Sequence, residues 1–189
     1  FGVSQRLKLK EKAEDYPHQL LLSATPIPRT MAMGVLSGLD ISTIKSLPPN
    51  RTPIVTTTLP NNRRDALINR IKSAINKNSQ VYWVCPLIDE SESELIGIED
   101  LEKMLKKEFD SQDYEIIHGK MKDIDKQKIL SDFKEKKTKI LLATTVIEVG
   151  IDVPDANIMV IENSERFGLA QLHQLRGRVG RGEKESFCI

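Results

Sequence analysis

Several kinds of residue are scarce in this sequence, and each scarcity narrows the class of protein. The chain of 189 residues has two cysteines, Cys85 and Cys188, both within apolar runs. We therefore expect small buried side chains in a reducing compartment and no disulfide. No apolar run approaches the roughly 18 residues of a membrane span, and the first residues lack the pattern of a signal peptide. These features predict a cytoplasmic protein with no membrane partner.

Neither sign of charge dominates the sequence. Lys and Arg number 28 against 27 Asp and Glu, which gives a net charge of +1. This balance argues against binding of nucleic acid by the whole surface, but it leaves room for a local basic groove.

Short apolar runs rich in β-forming residues alternate with helical patterns along the chain. The predicted strands are Gln19–Ser23, Ile54–Leu59, Gln80–Cys85, Tyr114–His118, Lys139–Ala143, Ile158–Glu162 and Ser186–Ile189. The predicted helices are Pro28–Leu36, Arg63–Asn76, Ile98–Phe109, Ile124–Lys136 and Leu169–Leu175. This alternation predicts an α/β fold with a mostly parallel sheet. The nearly all-apolar runs KILLA and NIMVI are typical of strands that are covered on both faces.

A proline-rich stretch divides the chain into two parts. Lys45–Pro53 contains three prolines, which excludes a helix interior or a central strand and predicts a stiff linker over residues 47–53. Residues 1–46 contain one strong strand and cannot close a core, so we expect the trailing edge of a preceding domain. Residues 54–189 contain five or six strands, nearly a whole domain. Both ends of the sequence look truncated. We therefore expect a piece of a longer protein, with the second domain truncated at its C-terminus.

The stretch QLRGRVGRG contains three arginines and three glycines. On a continuous helix, Gln174, Arg178 and Arg181 would lie in one narrow stripe. Gly177 and Gly180 would share another face, where the lack of a side chain lets neighbouring backbone approach. Guanidinium groups suit multivalent oxyanions because they are rigid, bidentate and always charged. The alternative is a solvated basic helix end, where the glycines would bring no benefit.

A second candidate stretch, LLATTVIEVGIDVPD, begins as a buried strand and continues with polar residues. Thr144 and Thr145 follow the strand directly, at the end where ligands bind in open parallel sheets, and could hold a phosphate. Gly150 allows close backbone approach, and Asp152 could accept a hydrogen bond from a ribose hydroxyl. The alternative is a simple connection from strand to helix with Asp152 as its cap.

Three further features are less specific. Ser23 and Thr25 follow an apolar strand in LLLSATPIPRT, and Arg29 enters the first turn of the next predicted helix against the helix dipole, although a solvated arginine is the simpler interpretation. His118 ends another strand, where a hydrogen-bonded structural histidine is the simpler interpretation. Trp83 is expected in the core.

Taken together and in this order, SAT, ATTVIEVGIDVPD and QLRGRVGR resemble motifs III, V and VI of superfamily 2 helicases. The strings FGVSQRLKL, ATPIPRTMAM, YWVCPLIDESE, HGKM and ENSERFGLAQLHQLRGRVGRG are similar to the RecG-type branch-migration DNA helicases, over essentially the whole chain. The resemblance implies a RecA-like parallel sheet with helices on both faces, the second of two motor domains. It also implies ATP with Mg²⁺ as cofactor, and branched or forked duplex DNA as partner in recombination and repair.

The resemblance also implies a role for each matching residue. Arg178 and Arg181 would be arginine fingers on the γ-phosphate of ATP. The positions implied at the nucleotide are Gln174, Gly150 and Asp152. Those implied at the nucleic-acid backbone are Thr144, Thr145 and His118, and those implied to couple the two sites are Ser23 and Thr25.

Two motifs of such helicases are missing from the sequence. It contains no G-x-x-x-x-G-K-[ST] loop and no DExH box. The phosphate-binding lysine, the Mg²⁺ ligands and the wedge domain that splits forked DNA would therefore lie elsewhere in a longer protein, and we expect this polypeptide alone to be inactive.

Three alternative functions fit parts of the pattern. The first is a translocase like the transcription-repair coupling factor, which shares the long motif VI string. The second is a catalytically dead RecA-like module that only binds nucleic acid or a partner. The third is an α/β nucleotide-binding enzyme that is not a motor, which would need a binding loop after the first strand of its own domain; none is visible in the sequence.

Overall fold

A computed structural model of the chain describes residues 51–86, 94–144, 153–182 and 184–189, together with residues 20, 22, 42–44 and 46. The chain divides into two compact units, Phe1–Leu39 and Asp40–Ile189. Nearly all described residues belong to the second unit. The predicted helix Pro28–Leu36 lies outside the described residues, as does the predicted strand Gln19–Ser23 apart from Leu20 and Leu22, which are exposed and belong to no strand.

The second unit is built from strands and helices that alternate along the chain. Its described strands are β1 (Val55–Thr56), β2 (Gln80–Val84), β3 (Tyr114–Ile117), β4 (Ile140–Ala143), β5 (Ala156–Ile161) and β6 (Phe187–Cys188). Its described helices are α1 (Arg64–Ile75), α2 (Glu94–Glu108), α3 (Asp123–Lys134) and α4 (Leu169–Arg176), with short 3₁₀ turns at Asn61–Arg63 and Ser164–Arg166. No helix within the described ranges is long and apolar enough to cross a membrane.

The described strands form one six-stranded sheet in the order β1-β6-β5-β2-β4-β3. Every pairing is parallel. The predicted α/β fold with a parallel sheet is therefore confirmed. The predicted strands Ile54–Leu59 and Ser186–Ile189 are shortened to two residues each, because β1 is an edge strand whose pairing extends only as far as β6 does.

The central strands are buried on both faces and separate two hydrophobic cores. Successive residues of β2 point to opposite sides, so that Val81 and Trp83 pack with α1 and α2, whereas Tyr82 and Val84 pack with α3 and α4. Tyr82 meets Phe133 of α3 at a ring-centroid distance of 5.2 Å. Helices therefore cover both faces of the sheet, as a continuous apolar strand requires.

Two helices end in the same way before a buried strand. Asn78 after α1 and Lys136 after α3 adopt left-handed backbone, with φ of 58° and 63°. The next amide reaches back to the helix in both cases, from Ser79 to the Ala74 carbonyl and from Lys137 to the Asp132 carbonyl. These bonds are those of a Schellman motif, which turns the chain sharply. In each case the chain thus turns into the next strand at the amino end of the sheet.

Candidate nucleotide and nucleic-acid site

The carboxyl ends of β3 and β4 bring two predicted site residues together. Ile117 pairs with Ala143 at the end of this parallel ladder, so His118 and Thr144 follow as neighbours. The Thr144 amide donates to the Ile117 carbonyl at 3.4 Å. This edge is where open parallel sheets bind ligands.

Both residues carry a buried polar atom with no hydrogen-bond partner among the described residues, namely Oγ1 of Thr144 and Nδ1 of His118. The Thr144 side chain is fully buried. A buried hydroxyl without a partner costs about 1–3 kcal/mol, so the two atoms make this edge of the sheet a candidate ligand site. Nearby, Lys126 of α3 donates to the Gly119 carbonyl at 2.9 Å, which keeps an ammonium group beside the same turn.

The carboxyl end of β5 carries a network that the sequence reasoning missed. Glu162 accepts hydrogen bonds from Arg64 of α1 at 2.6 Å and from the Trp83 indole at 3.0 Å. Burial, followed by the Glu162 charge, raises the pKa of the adjacent Cys85 thiol to about 11. Trp83 is completely buried, as predicted. The available signal was a carboxylate placed directly after the apolar run NIMVI.

The arginine-bearing stretch departs from the predicted continuous helix. Helix α4 ends at Arg176, and Gly177 is its C-cap. The prediction that Gln174, Arg178 and Arg181 share one helical stripe is therefore wrong. Gln174 is exposed on the last turn of α4, whereas both arginines lie on the segment that follows, which we call the arginine loop (residues 177–182).

Two glycines shape the arginine loop. Gly180 adopts left-handed backbone with φ of 75°, and a Cβ there would lie 2.9 Å from Ile54 Cγ1. A Cβ on Gly182 would lie 2.5 Å from the Pro154 carbonyl oxygen. Gly177, by contrast, meets only carbonyls of its own helix, at 3.4 Å. At Gly180 the predicted close approach exists but is made by the Ile54 side chain, at Gly177 the prediction is wrong, and the close backbone contact lies at Gly182, which was not predicted.

Within the loop, the two buried residues Val179 and Gly180 lie between partly exposed arginines. Val179 is buried in the core with Leu175 and Val153. Arg178 and Arg181 on either side are partly exposed, and Arg181 Nε donates to the Gly177 carbonyl at 3.5 Å. The loop therefore has an apolar anchor with a guanidinium group on each side of it.

Thr145, Gly150, Asp152, Ser23 and Thr25 lie outside the described residues. Among the residues that are described, no group of three His, Cys, Asp or Glu side chains could hold a metal ion.

The fold and motifs agree with a match to known proteins. Residues 56–183 match the family described as the helicase conserved C-terminal domain. The chain therefore belongs to this helicase family.

Within that family, the chain is similar to the RecG proteins. It is 53% identical over 194 residues to the ATP-dependent DNA helicase RecG of Pasteurella multocida, covering all of this chain and 28% of that protein. A solved structure of RecG bound to a three-way DNA junction is 39% identical, with a TM-score of 0.73, over 93% of this chain and 24% of that one. Yeast Dbp5 shares the fold at 17% identity and a TM-score of 0.65, over 98% of this chain and 48% of its own. The chain thus spans about a quarter of the length of the RecG proteins it resembles.

Proposed function

We propose that this chain is part of an ATP-driven DNA translocase of the RecG type, which remodels branched DNA such as stalled forks and Holliday junctions. Its likeness to RecG over its whole length supports this proposal. The missing phosphate-binding loop, Mg²⁺ ligands and wedge domain belong, in this proposal, to other parts of the same protein.

The observation that carries the proposal is the arginine loop. Two partly exposed guanidinium groups flank a buried valine on a backbone fixed by tight glycine contacts. A guanidinium group that is already held in place can stabilise charge on a phosphoryl group without reorganisation in the transition state. An arginine finger contributes about 10³ to 10⁵ in rate. We assign this role to Arg178 and Arg181.

The other predicted site residues would contact either the nucleotide or the DNA. Gln174, Gly150 and Asp152 would contact the nucleotide. Backbone phosphates of DNA would supply the missing partners of Thr144 and His118. We also assign Thr145 to the DNA backbone. Ser23 and Thr25 would couple the nucleotide site to the DNA site.

The proposed cycle follows from electrostatics. Bound ATP presents a γ-phosphate whose charge Arg178 and Arg181 neutralise, which draws the two motor domains together. Hydrolysis removes that attraction, and the cleft opens. Each closure then shifts the grip on the DNA backbone. The low net charge of the chain favours release as well as binding, because backbone affinity grows with the number of phosphates neutralised.

The test is Arg181→Ala in a full-length protein that carries this chain. We expect DNA-stimulated ATP hydrolysis to fall by about 10³-fold or more, while DNA affinity changes little. The matched control is Arg176→Ala, which removes an arginine of the same stretch that instead contacts His173 Nδ1 at 3.1 Å. Unchanged turnover in the Arg181 variant would refute the arginine-finger assignment and favour a module that only binds.

A further inference from the structure

The arginine loop and the chain that follows it lie against residues 154–157, a segment we call the exit segment. In sequence this segment begins two residues after Asp152, one of the positions assigned to the nucleotide. Three separate contacts join the two segments, and none of them involves a residue assigned to ATP or DNA.

The first contact is steric. Gly182 lies so close to Pro154 that an added Cβ would be 2.5 Å from the Pro154 carbonyl oxygen and 3.3 Å from its carbonyl carbon. Both atoms belong to backbone, so no side chain can rotate away to make room. Any other residue at position 182 must displace either the exit segment or the backbone next to Arg181.

The second and third contacts are polar. Asp155 pairs with Lys184 at 3.4 Å and with Lys136 at 2.7 Å. The buried Asn157 side chain donates to the Glu185 carbonyl at 2.9 Å. Lys136 and then Lys184 hold the pKa of Asp155 below its usual range, so the carboxylate stays charged at neutral pH.

Together these contacts fix the backbone on the C-terminal side of Arg181, just as the buried Val179 fixes it on the N-terminal side. We infer that the exit segment is a clamp that positions the Arg181 guanidinium group, with Gly182, Asp155 and Lys184 as its positioning residues. This inference rests on the proposed function. The clamp joins the arginine loop to a segment that begins two residues after Asp152, so that the two segments move as one body when the cleft closes.

The main test is Gly182→Ala in the full-length protein. A displacement of catalytic groups by about 1 Å can cost on the order of 10²-fold in rate. We expect kcat for DNA-stimulated ATP hydrolysis to fall by about tenfold or more with KM for ATP within about twofold, since an interaction made only in the transition state is lost. The control is Gly168→Ala, because a Cβ at that position meets only Gln171 Oε1, at an ordinary 3.7 Å.

A second pair of variants separates positioning from general stability. Lys184→Met and Lys136→Met each remove one partner of Asp155, and only Lys184 lies on the chain that follows the arginine loop, where its ammonium group also donates to the Asn78 carbonyl at 3.0 Å. We expect Lys184→Met to lower kcat by about twofold to fivefold, the range of a partly exposed ion pair, and Lys136→Met to leave kcat unchanged although its bond is shorter. Circular dichroism verifies that each variant is folded.

The outcomes are distinct. Parent-like kcat in a folded Gly182→Ala protein, together with a collapse in Arg181→Ala, would overturn the clamp and leave the arginine finger standing. Parent-like turnover in Arg181→Ala would overturn the proposed function itself. Should Gly182→Ala not fold, the lysine pair decides: equal effects of the two lysine variants, or none, would overturn the clamp.

Discussion

The reactivity of the two cysteines depends on their burial in the sheet. Cys85 and Cys188 are both free and buried, as the sequence predicts. Burial raises the pKa of both thiols, to about 11 for Cys85, where the Glu162 charge adds to the effect. A thiolate is the reactive form of cysteine, so these residues act as small apolar side chains.

We predict slow alkylation of Cys85 in the folded chain. A pKa about two units above the ordinary value leaves about 100-fold less thiolate at mildly alkaline pH, and burial slows the reaction further. Iodoacetamide labelling of a Cys188→Ser variant, folded and in denaturant, measures this ratio. Because the folded pKa is the higher one, Cys85 also lowers the free energy of unfolding as the pH rises from 9.0 to about 11. Equal labelling rates in the two states would contradict the prediction.

The sequence predicted which residues belong to the candidate site, but not the backbone conformation that holds them. The three-arginine stretch identified Arg178 and Arg181 because clustered guanidinium groups on glycine-rich backbone are unusual. Their backbone was not predictable from helical spacing, since α4 stops at Gly177 and Gly180 turns left-handed against Ile54, a residue 126 positions away in the sequence. Gly182 escaped attention for the same reason: its partner, Pro154, lies in another segment.

At the scale of elements, β2 shows how one strand holds two layers of helices. Its five residues are all buried, and the four apolar ones, Val81 to Val84, alternate between the cores. Phe133 of α3 takes part in this arrangement twice, because its ring packs on Tyr82 and its carbonyl accepts a hydrogen bond from Gln80. Helix α3 is therefore tied to the central strand by one side chain and one backbone group.

We expect Phe133→Ala to lower the free energy of unfolding by about 3–5 kcal/mol, as for other buried aromatic residues cut to alanine. Urea unfolding followed by circular dichroism measures the change. Lys134→Ala, at the next and exposed position of α3, is the control and should stay within about 0.5 kcal/mol of the parent. A loss below about 1 kcal/mol for Phe133→Ala would mean that the core around Tyr82 closes over the cavity.

The sequence predicted the strands and helices themselves more reliably than their first and last residues. Apolar runs located β2, β3, β4 and β5 because buried parallel strands leave little room for polar residues. Helix α2 begins at Glu94, four residues before the predicted start at Ile98, and its first turn includes Gly97. Glycine weakens a helix by about 1 kcal/mol relative to alanine, so Gly97 obscured the start of this helix in the sequence.

At the scale of the whole molecule, the chain provides one wall of a proposed nucleotide cleft. It spans about a quarter of the length of the RecG proteins it resembles, and its sequence has no lysine-bearing phosphate loop. The arginine loop would then act on a nucleotide that is bound mainly by residues outside this sequence.

We therefore predict that this polypeptide alone does not hydrolyse ATP, with or without DNA. Mixing it with the remainder of the full-length protein should restore DNA-stimulated phosphate release, and a mixture made with the Arg181→Ala chain should not, because the finger would be lost. Steady phosphate release by the isolated wild-type chain would contradict this division of roles.

The contact between Trp83 and Glu162 has a practical consequence. The chain has a single tryptophan, and its indole nitrogen is bonded to a carboxylate at the ligand-binding edge of the sheet. Its emission therefore comes from one solvent-shielded environment next to a carboxylate that is paired with Arg64. The protein thus contains a natural optical reporter of the contact between Trp83 and Glu162, which needs no attached dye.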